Sequence, residues 1–173
     1  MAIPAWERDY AEYFSARAPS LRRLAYAMCG DWHLAEDLVQ ATFIRLYRAW
    51  RKIRKETVDA YARRVLINVF LSGTRAKGRE HSVADVPDRP TPPTHDSDVR
   101  LDLATELAGL PPQQRAMVVL RYLEDLPIAE VAHLLKVAQG TVKSQTARGV
   151  AALRAGLAES ALAESALAAV TEE

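Results

Sequence analysis

The chain has 173 residues, 49% of them hydrophobic, and a formal net charge of +1, enough apolar material for one moderate core or two small ones. Cys29 is its only cysteine, which excludes a disulfide framework and a cysteine-based zinc site. No apolar run reaches the roughly 18 residues of a membrane span, and MAIPAWERDYAEYF lacks the basic start and apolar middle of a secretory signal, so a cytoplasmic protein is expected.

Strand signals are nearly absent and apolar residues recur at helical spacing, which predicts an all-α chain. Trp6 to about Ala18 reads as a first helix with Tyr10, Tyr13 and Phe14 inward, stopped by Pro19. A second runs from Ser20 to Cys29 and ends at Gly30. Asp31 then caps a third, reaching about Trp50, with Glu36 and Asp37 early in it, where the helix dipole favours acids. On this helix Leu34, Leu38, Ala41 or Thr42, Leu46 and Trp50 point inward, while Asp37 and Gln40 share a different face. The basic run Arg51 to Lys55 leads into a fourth helix, from about Thr57 to Lys77. Its inward positions are Tyr61, Val65, Leu66, Val69 and Phe70; Arg63, Arg64, Asn68, Ser72, Arg75 and Lys77 are polar.

Residues 81–98, with four prolines among Asp, Thr and Ser, read as an extended, mobile linker between two small helical domains, 1–80 and 99–157. Helical periodicity resumes at about Val99, breaks at Pro111-Pro112, and starts again from that pair. The stretch from Leu126 to Leu153 then predicts two short helices with a tight joint. Ile128, Val131, Ala132, Leu134 and Leu135 form one apolar face, and Lys136 to Ala138 the joint. The second helix, about Gln139 to Ala155, turns Val142, Val150 and Leu153 inward and leaves Thr141, Lys143, Ser144 and Arg148 outside. This is a helix-turn-helix pattern, with Ala132 where the helices cross, and its second helix can enter a DNA major groove. A plain αα-hairpin inside a bundle is the alternative. Four basic and no acidic residues from Val131 to Ala158, and short polar groups on the outer face, favour DNA. The tail, 158–173, repeats ALAES and reads as a fraying helix or a disordered segment without assigned function.

The small net charge hides segregation. Residues 41–80 hold eleven Lys/Arg against three acids, net +8; residues 81–130 are net −5 and residues 131–158 net +4. Two basic blocks separated by an acidic one suggest two places that meet a polyanion. His33, His81, His95 and His133 show no ligand spacing and no nucleophile–base pair is evident, so neither enzyme activity nor a metal or cofactor is expected.

The helix Ala35-Glu-Asp-Leu-Val-Gln-Ala-Thr-Phe43, together with TVKSQTARG at 141–149, closely resembles the extracytoplasmic-function sigma factors of the sigma-70 superfamily. The resemblance spans sigma region 2 over about 5–80 and sigma region 4 over about 100–157. It implies a subunit that binds core RNA polymerase, directs promoter-specific transcription initiation and nucleates melting near −10. By that resemblance Asp37, Gln40 and Phe43 dock on the clamp helices of the largest polymerase subunit, and region 4 meets the flap of the second largest. Arg54, Lys55, Tyr61, Arg64, Asn68, Ser72 and Arg75 would read the −10 element as a single strand, with an unstacked base held near Arg54 to Asp59. By the same resemblance Asn68 stands where the family commonly has Asn, whose amide would make bidentate contact with a base. Gln139, Gly140, Thr141, Lys143, Ser144 and Arg148 would meet the −35 element as duplex, Lys143 and Arg148 mainly on phosphates and Gln139 and Ser144 nearer base edges. The family also admits an anti-sigma partner. Three departures stand out: Ala41 where a Glu is usual, Lys136 where a Gly is common, and Ala138 in place of a Ser cap. A left-handed Lys136 would cost about 1–2 kcal/mol and the missing cap about 1 kcal/mol. The other reading is a stand-alone helix-turn-helix regulator that binds duplex DNA as a dimer.

Overall fold

Gly30 and Asp31 set the first corner of the molecule. In a computed structural model that describes residues 3–80 and 98–171, with side chains over 3–77 and 103–162, Gly30 adopts φ 72° and its N–H bonds the Tyr26 carbonyl. That left-handed cap ends helix α1, Ala5–Cys29, at no steric cost because glycine has no Cβ. One residue later the Asp31 carboxylate accepts the Leu34 N–H at 2.9 Å and opens helix α2, Trp32–Ala49. Two short 3₁₀ turns, Trp50–Lys52 and Lys55–Thr57, lead into helix α3, Val58–Glu80. The second unit holds α4, Asp98–Gly109, α5, Pro112–Tyr122, α6, Ile128–Leu135, and α7, Gln139–Thr171. Among the described residues there is no strand, so the chain is all-α with two helical units. The expected linker 81–98, with His81 and His95, lies outside the described residues apart from Asp98.

In the first unit the expected break at Pro19 is absent: α1 runs through it as one helix of 25 residues. Proline removes one backbone donor there, and the Ser20 hydroxyl donates to the Arg17 carbonyl at 2.9 Å beside the gap. What overrides the break is packing. Tyr10, Tyr13, Leu21, Leu24, Ala25 and Met28 keep one helical phase on both sides of Pro19, so both halves pack against the same partners, α2 and α3. The shared core is Met28, Leu46, Leu66 and Ile67, each fully buried, with Phe43 and Phe70. Burial of one such side chain is worth about 1.5–3 kcal/mol. Thr42, not Ala41, faces this core, and its hydroxyl is satisfied by the Leu38 carbonyl at 2.7 Å.

In the second unit α5 carries five consecutive buried residues, Ala116 to Leu120, and packs chiefly against α7, which also meets α4 and α6. Pro112 sits at its first position, where a missing N–H costs nothing. Arg115 reaches back to the carbonyls of Ala108 (2.8 Å) and Leu110 (2.9 Å), closing the end of α4. Helix α6 buries Val131, Ala132 and Leu134, then ends on Lys136 at φ 57° and ψ 46°. That residue is therefore left-handed. Helix α7 buries Val142, Thr146 and Leu153, while Val150 is only half-buried. Between them Gly149 marks a close approach to α5: a Cβ there would lie 2.6 Å from Val118 Cγ2. The backbone of α7 continues as helix to Thr171, so the helical reading of the tail holds to that residue.

Candidate nucleic-acid and polymerase interfaces

On α3, Tyr61, Arg64, Asn68, Ser72 and Arg75 follow each other at intervals of three and four, which places them on one stripe. Ala62, Val65, Leu66, Ile67 and Phe70 bury the opposite side. Arg64, Asn68, Ser72 and Arg75 are exposed and Tyr61 is half-buried, so the stripe presents guanidinium, amide and hydroxyl groups to solvent. Such a surface suits phosphate contact and hydrogen bonding to base edges. Arg54 is exposed and stands 3.7 Å from Glu56, a loose pair. Lys55 is committed further: its ammonium lies 2.9 Å from Asp9, and that hydrogen bond, then the charges of Asp9 and Glu12, raise its pKa. Behind this segment lies an open groove of about 510 Å³, walled by Trp6, Tyr13 and Trp50 with Asp9, Glu12 and Lys55 at its polar side.

The face of α2 divides the expected docking residues. Asp37 and Gln40 are exposed. Phe43 is 3% exposed, with the ring of Phe14 at 4.5 Å and Tyr10 edge-on at 6.3 Å, so it is a core residue and cannot form an open docking surface. Its place on the outer face is taken by Ile44, which is 54% exposed. The spacing 37, 40, 44, 47 puts Asp37, Gln40, Ile44 and Tyr47 on one helical face. Tyr47 is held by Trp6 at 5.3 Å between ring centroids and by Glu7. Reasoning from the sequence missed Ile44, although its signal was present: one β-branched apolar residue in phase with two polar ones. Glu36 is drawn aside by Arg22 at 2.8 Å, whereas no ion pair among the described residues involves Asp37.

At the start of α7, Gln139, Gly140, Lys143, Ser144 and Arg148 are exposed and Thr141 is half-buried. The preceding Ala138 has no side chain able to cap the helix, so its first N–H groups are left for solvent or a ligand. Gly140 has open space where a Cβ would stand, so packing does not demand glycine there. Lys136, Lys143, Arg148 and Arg154 are all exposed, with no acid between Val131 and Ala158 to offset them. Gln114 of α5 bonds Gln145 of α7 at 2.8 Å and fixes the rotation of this helix from its inner side. Among the described residues no cluster of His, Cys, Asp and Glu could hold a metal, and no helix is long and apolar enough to cross a membrane.

Comparison with known proteins divides the chain at the same places. Residues 13–80 match the Sigma-70 region 2 family and residues 100–153 match Sigma-70, region 4. The ECF RNA polymerase sigma factor SigE of Mycolicibacterium smegmatis is 37% identical over 167 residues; the match covers 91% of this chain and 63% of that protein. The RNA polymerase sigma-E factor of Streptomyces coelicolor is 36% identical over 149 residues, 84% of either chain. Among solved structures, a chain in the co-crystal structure of the sigma factor RpoE in complex with the anti-sigma factor NepR from Bartonella quintana superposes with a TM-score of 0.72. It is 25% identical, and the match covers 87% of this chain and 97% of that one. With both regions in order, on separate helical units that each expose a basic face, the chain belongs to the extracytoplasmic-function family of RNA polymerase sigma factors.

Proposed function

We propose that this chain binds core RNA polymerase through the α2 face Asp37–Gln40–Ile44 and directs it to promoters with two DNA grips. The α3 stripe, with Arg54 and Lys55, takes the −10 element as a single strand and nucleates melting. The first turns of α7 take the −35 element as duplex, and the second unit also meets the flap of the second-largest polymerase subunit. The observation that carries the reading is the pairing of two exposed basic surfaces, on α3 and α7, in units matched to sigma regions 2 and 4. Phosphate contacts supply most of the affinity at each grip, and joining the two raises the effective concentration of the second contact. Bond-making chemistry stays with the polymerase, and the chain works in the cytoplasm. An anti-sigma factor, of the kind that RpoE of Bartonella quintana binds, is a fitting regulatory partner.

The α6–α7 joint supports dependence on the polymerase. A left-handed Lys136 and an uncapped α7 make a recognition helix less stably held than the family's usual sequence. Affinity for duplex promoter fragments should therefore be weak for the isolated chain and rise steeply once core polymerase is added. A gel-shift titration with and without core checks this. Tight binding of the chain alone to a palindrome, unaffected by core, would instead support the stand-alone regulator.

A further inference from the structure

Asp9, Tyr13 and Arg17 stand four residues apart on α1 and so form one row along it. Opposite them, Lys55 and Asp59 are also four apart, at the end of the 50–57 segment and in the first turn of α3. The two rows interlock. Lys55 Nζ lies 2.9 Å from Asp9 Oδ2, the Tyr13 hydroxyl donates to Asp59 Oδ1 at 2.9 Å, and Arg17 Nη2 donates to Asp59 Oδ2 at 2.7 Å. Both oxygens of Asp59 are thus engaged by different donors, which fixes the orientation of the carboxylate as well as its position. The Tyr13 ring is itself set against Trp50 at 5.2 Å and Phe43 at 6.4 Å, so packing aims its hydroxyl.

The segment held in this way has little to hold itself. Its two 3₁₀ turns are closed by Ile53 N–H to the Trp50 carbonyl at 3.2 Å and Thr57 N–H to the Arg54 carbonyl at 3.0 Å. Short 3₁₀ turns have poor hydrogen-bond geometry and keep a shape only with outside support. Here that support comes at both ends from α1: Tyr10 and Tyr13 on Trp50, then Asp9, Tyr13 and Arg17 on Lys55 and Asp59.

We propose that Asp59, gripped by Tyr13 and Arg17, is a positioning residue for −10 recognition. It sets the 50–57 segment and the first turn of α3 in place without touching DNA. The proposal rests on the reading of α3 as the −10 surface. Because the Arg17–Asp59 pair is about half exposed on both sides, its loss leaves the fold intact while loosening a surface that must be preorganised to bind.

The test uses the full chain reconstituted with core polymerase, on a promoter fragment selected by transcription from genomic DNA. Tyr13→Phe, Arg17→Ala and Asp59→Asn are compared with the exchanged pair Arg17→Asp/Asp59→Arg, and with Asn68→Ala on the DNA-facing stripe. Closed-complex affinity and the rate of opening, followed by permanganate reactivity of unpaired thymines, are measured separately. The three single substitutions should slow opening about fivefold, the effect of one lost hydrogen bond or exposed ion pair at the surface. Core binding and closed-complex affinity should stay within about twofold, as for an exposed ion pair, and the exchanged pair, which keeps an ion pair but loses the Tyr13 hydrogen bond, should open no more slowly than Tyr13→Phe. Wild-type opening in all three single variants, beside slow opening in Asn68→Ala, overturns the positioning role and leaves the −10 reading standing. Wild-type opening in Asn68→Ala as well overturns both. Equal losses in core binding, closed-complex affinity and opening also overturn the proposal, since they would mark Asp59 as a stabilising residue only.

Discussion

Replacing Lys136 with glycine probes the helix-turn-helix joint directly. Lys136 sits at φ 57° and ψ 46°, in the middle of the left-handed well. An L-residue there bears about 1–2 kcal/mol from its Cβ. Glycine avoids that clash but loses about 0.5–1 kcal/mol through the greater freedom of its unfolded chain. Lys136→Gly should therefore stabilise the second unit by about 0.5–1 kcal/mol. The backbone N–H that bonds the Ala132 carbonyl is kept, and the Lys136 side chain is exposed, so little packing is lost. For a unit of this size the gain corresponds to a rise of about 2–8 °C in unfolding temperature. The three tryptophans, Trp6, Trp32 and Trp50, all lie in the first unit, so tryptophan fluorescence follows that unit alone while far-UV circular dichroism follows both. The expected result is a higher midpoint by circular dichroism for the second unit and an unchanged fluorescence midpoint. A fall in that midpoint, or no change, would refute the claim that the joint is strained.

Gly149→Ala should act in the opposite sense. The gain in helix propensity, about 1 kcal/mol, is outweighed by the contact 2.6 Å from Val118 Cγ2, with overpacking costing about 1–3 kcal/mol. The circular dichroism midpoint of the second unit should fall, with tryptophan fluorescence again unmoved. On α2, Asp37→Arg should abolish capture of core polymerase at an unchanged unfolding temperature, since Asp37 is exposed. Ile44→Asp should weaken the same capture, and a pull-down that recovered core equally well with both variants would dismiss the α2 docking face. Leu66→Ala, at a fully buried position, should cost about 2–5 kcal/mol and lower the fluorescence midpoint of the first unit.

Local signals were the most legible part of the sequence. Gly30 marks a helix end by lacking a Cβ and Asp31 a helix start through its carboxylate, and both act at that corner. The all-α architecture followed from periodicity, whereas for Lys136 the sequence offered only the glycine common there in the family it resembles, and its left-handed backbone is seen in the structure. Pro19 misled because a propensity read over a few residues was set against a stripe that runs the length of α1. Phe43 misled because it lies beside the docking face in sequence, while the 3.6-residue period turns it toward Phe14 and Tyr10. In the candidate site, the polar positions Arg64, Asn68, Ser72 and Arg75 of α3 were readable in the sequence, whereas Tyr61, read as inward, is half-buried beside them. The partners of Lys55 and Asp59 were not: they lie on α1, more than 40 residues away, and only the folded chain brings them together. The close approach at Gly149 was hidden for the same reason, since Val118 belongs to another helix.

The central claim is that this chain gives core polymerase its promoters. Transcription in vitro, with purified core enzyme on a library of genomic promoter fragments, measures this directly. Discrete transcripts should start from a subset of fragments only when the chain is added, and should be lost with Asp37→Arg. No chain-dependent start on any fragment, with the chain alone binding duplex sites tightly, would contradict the account.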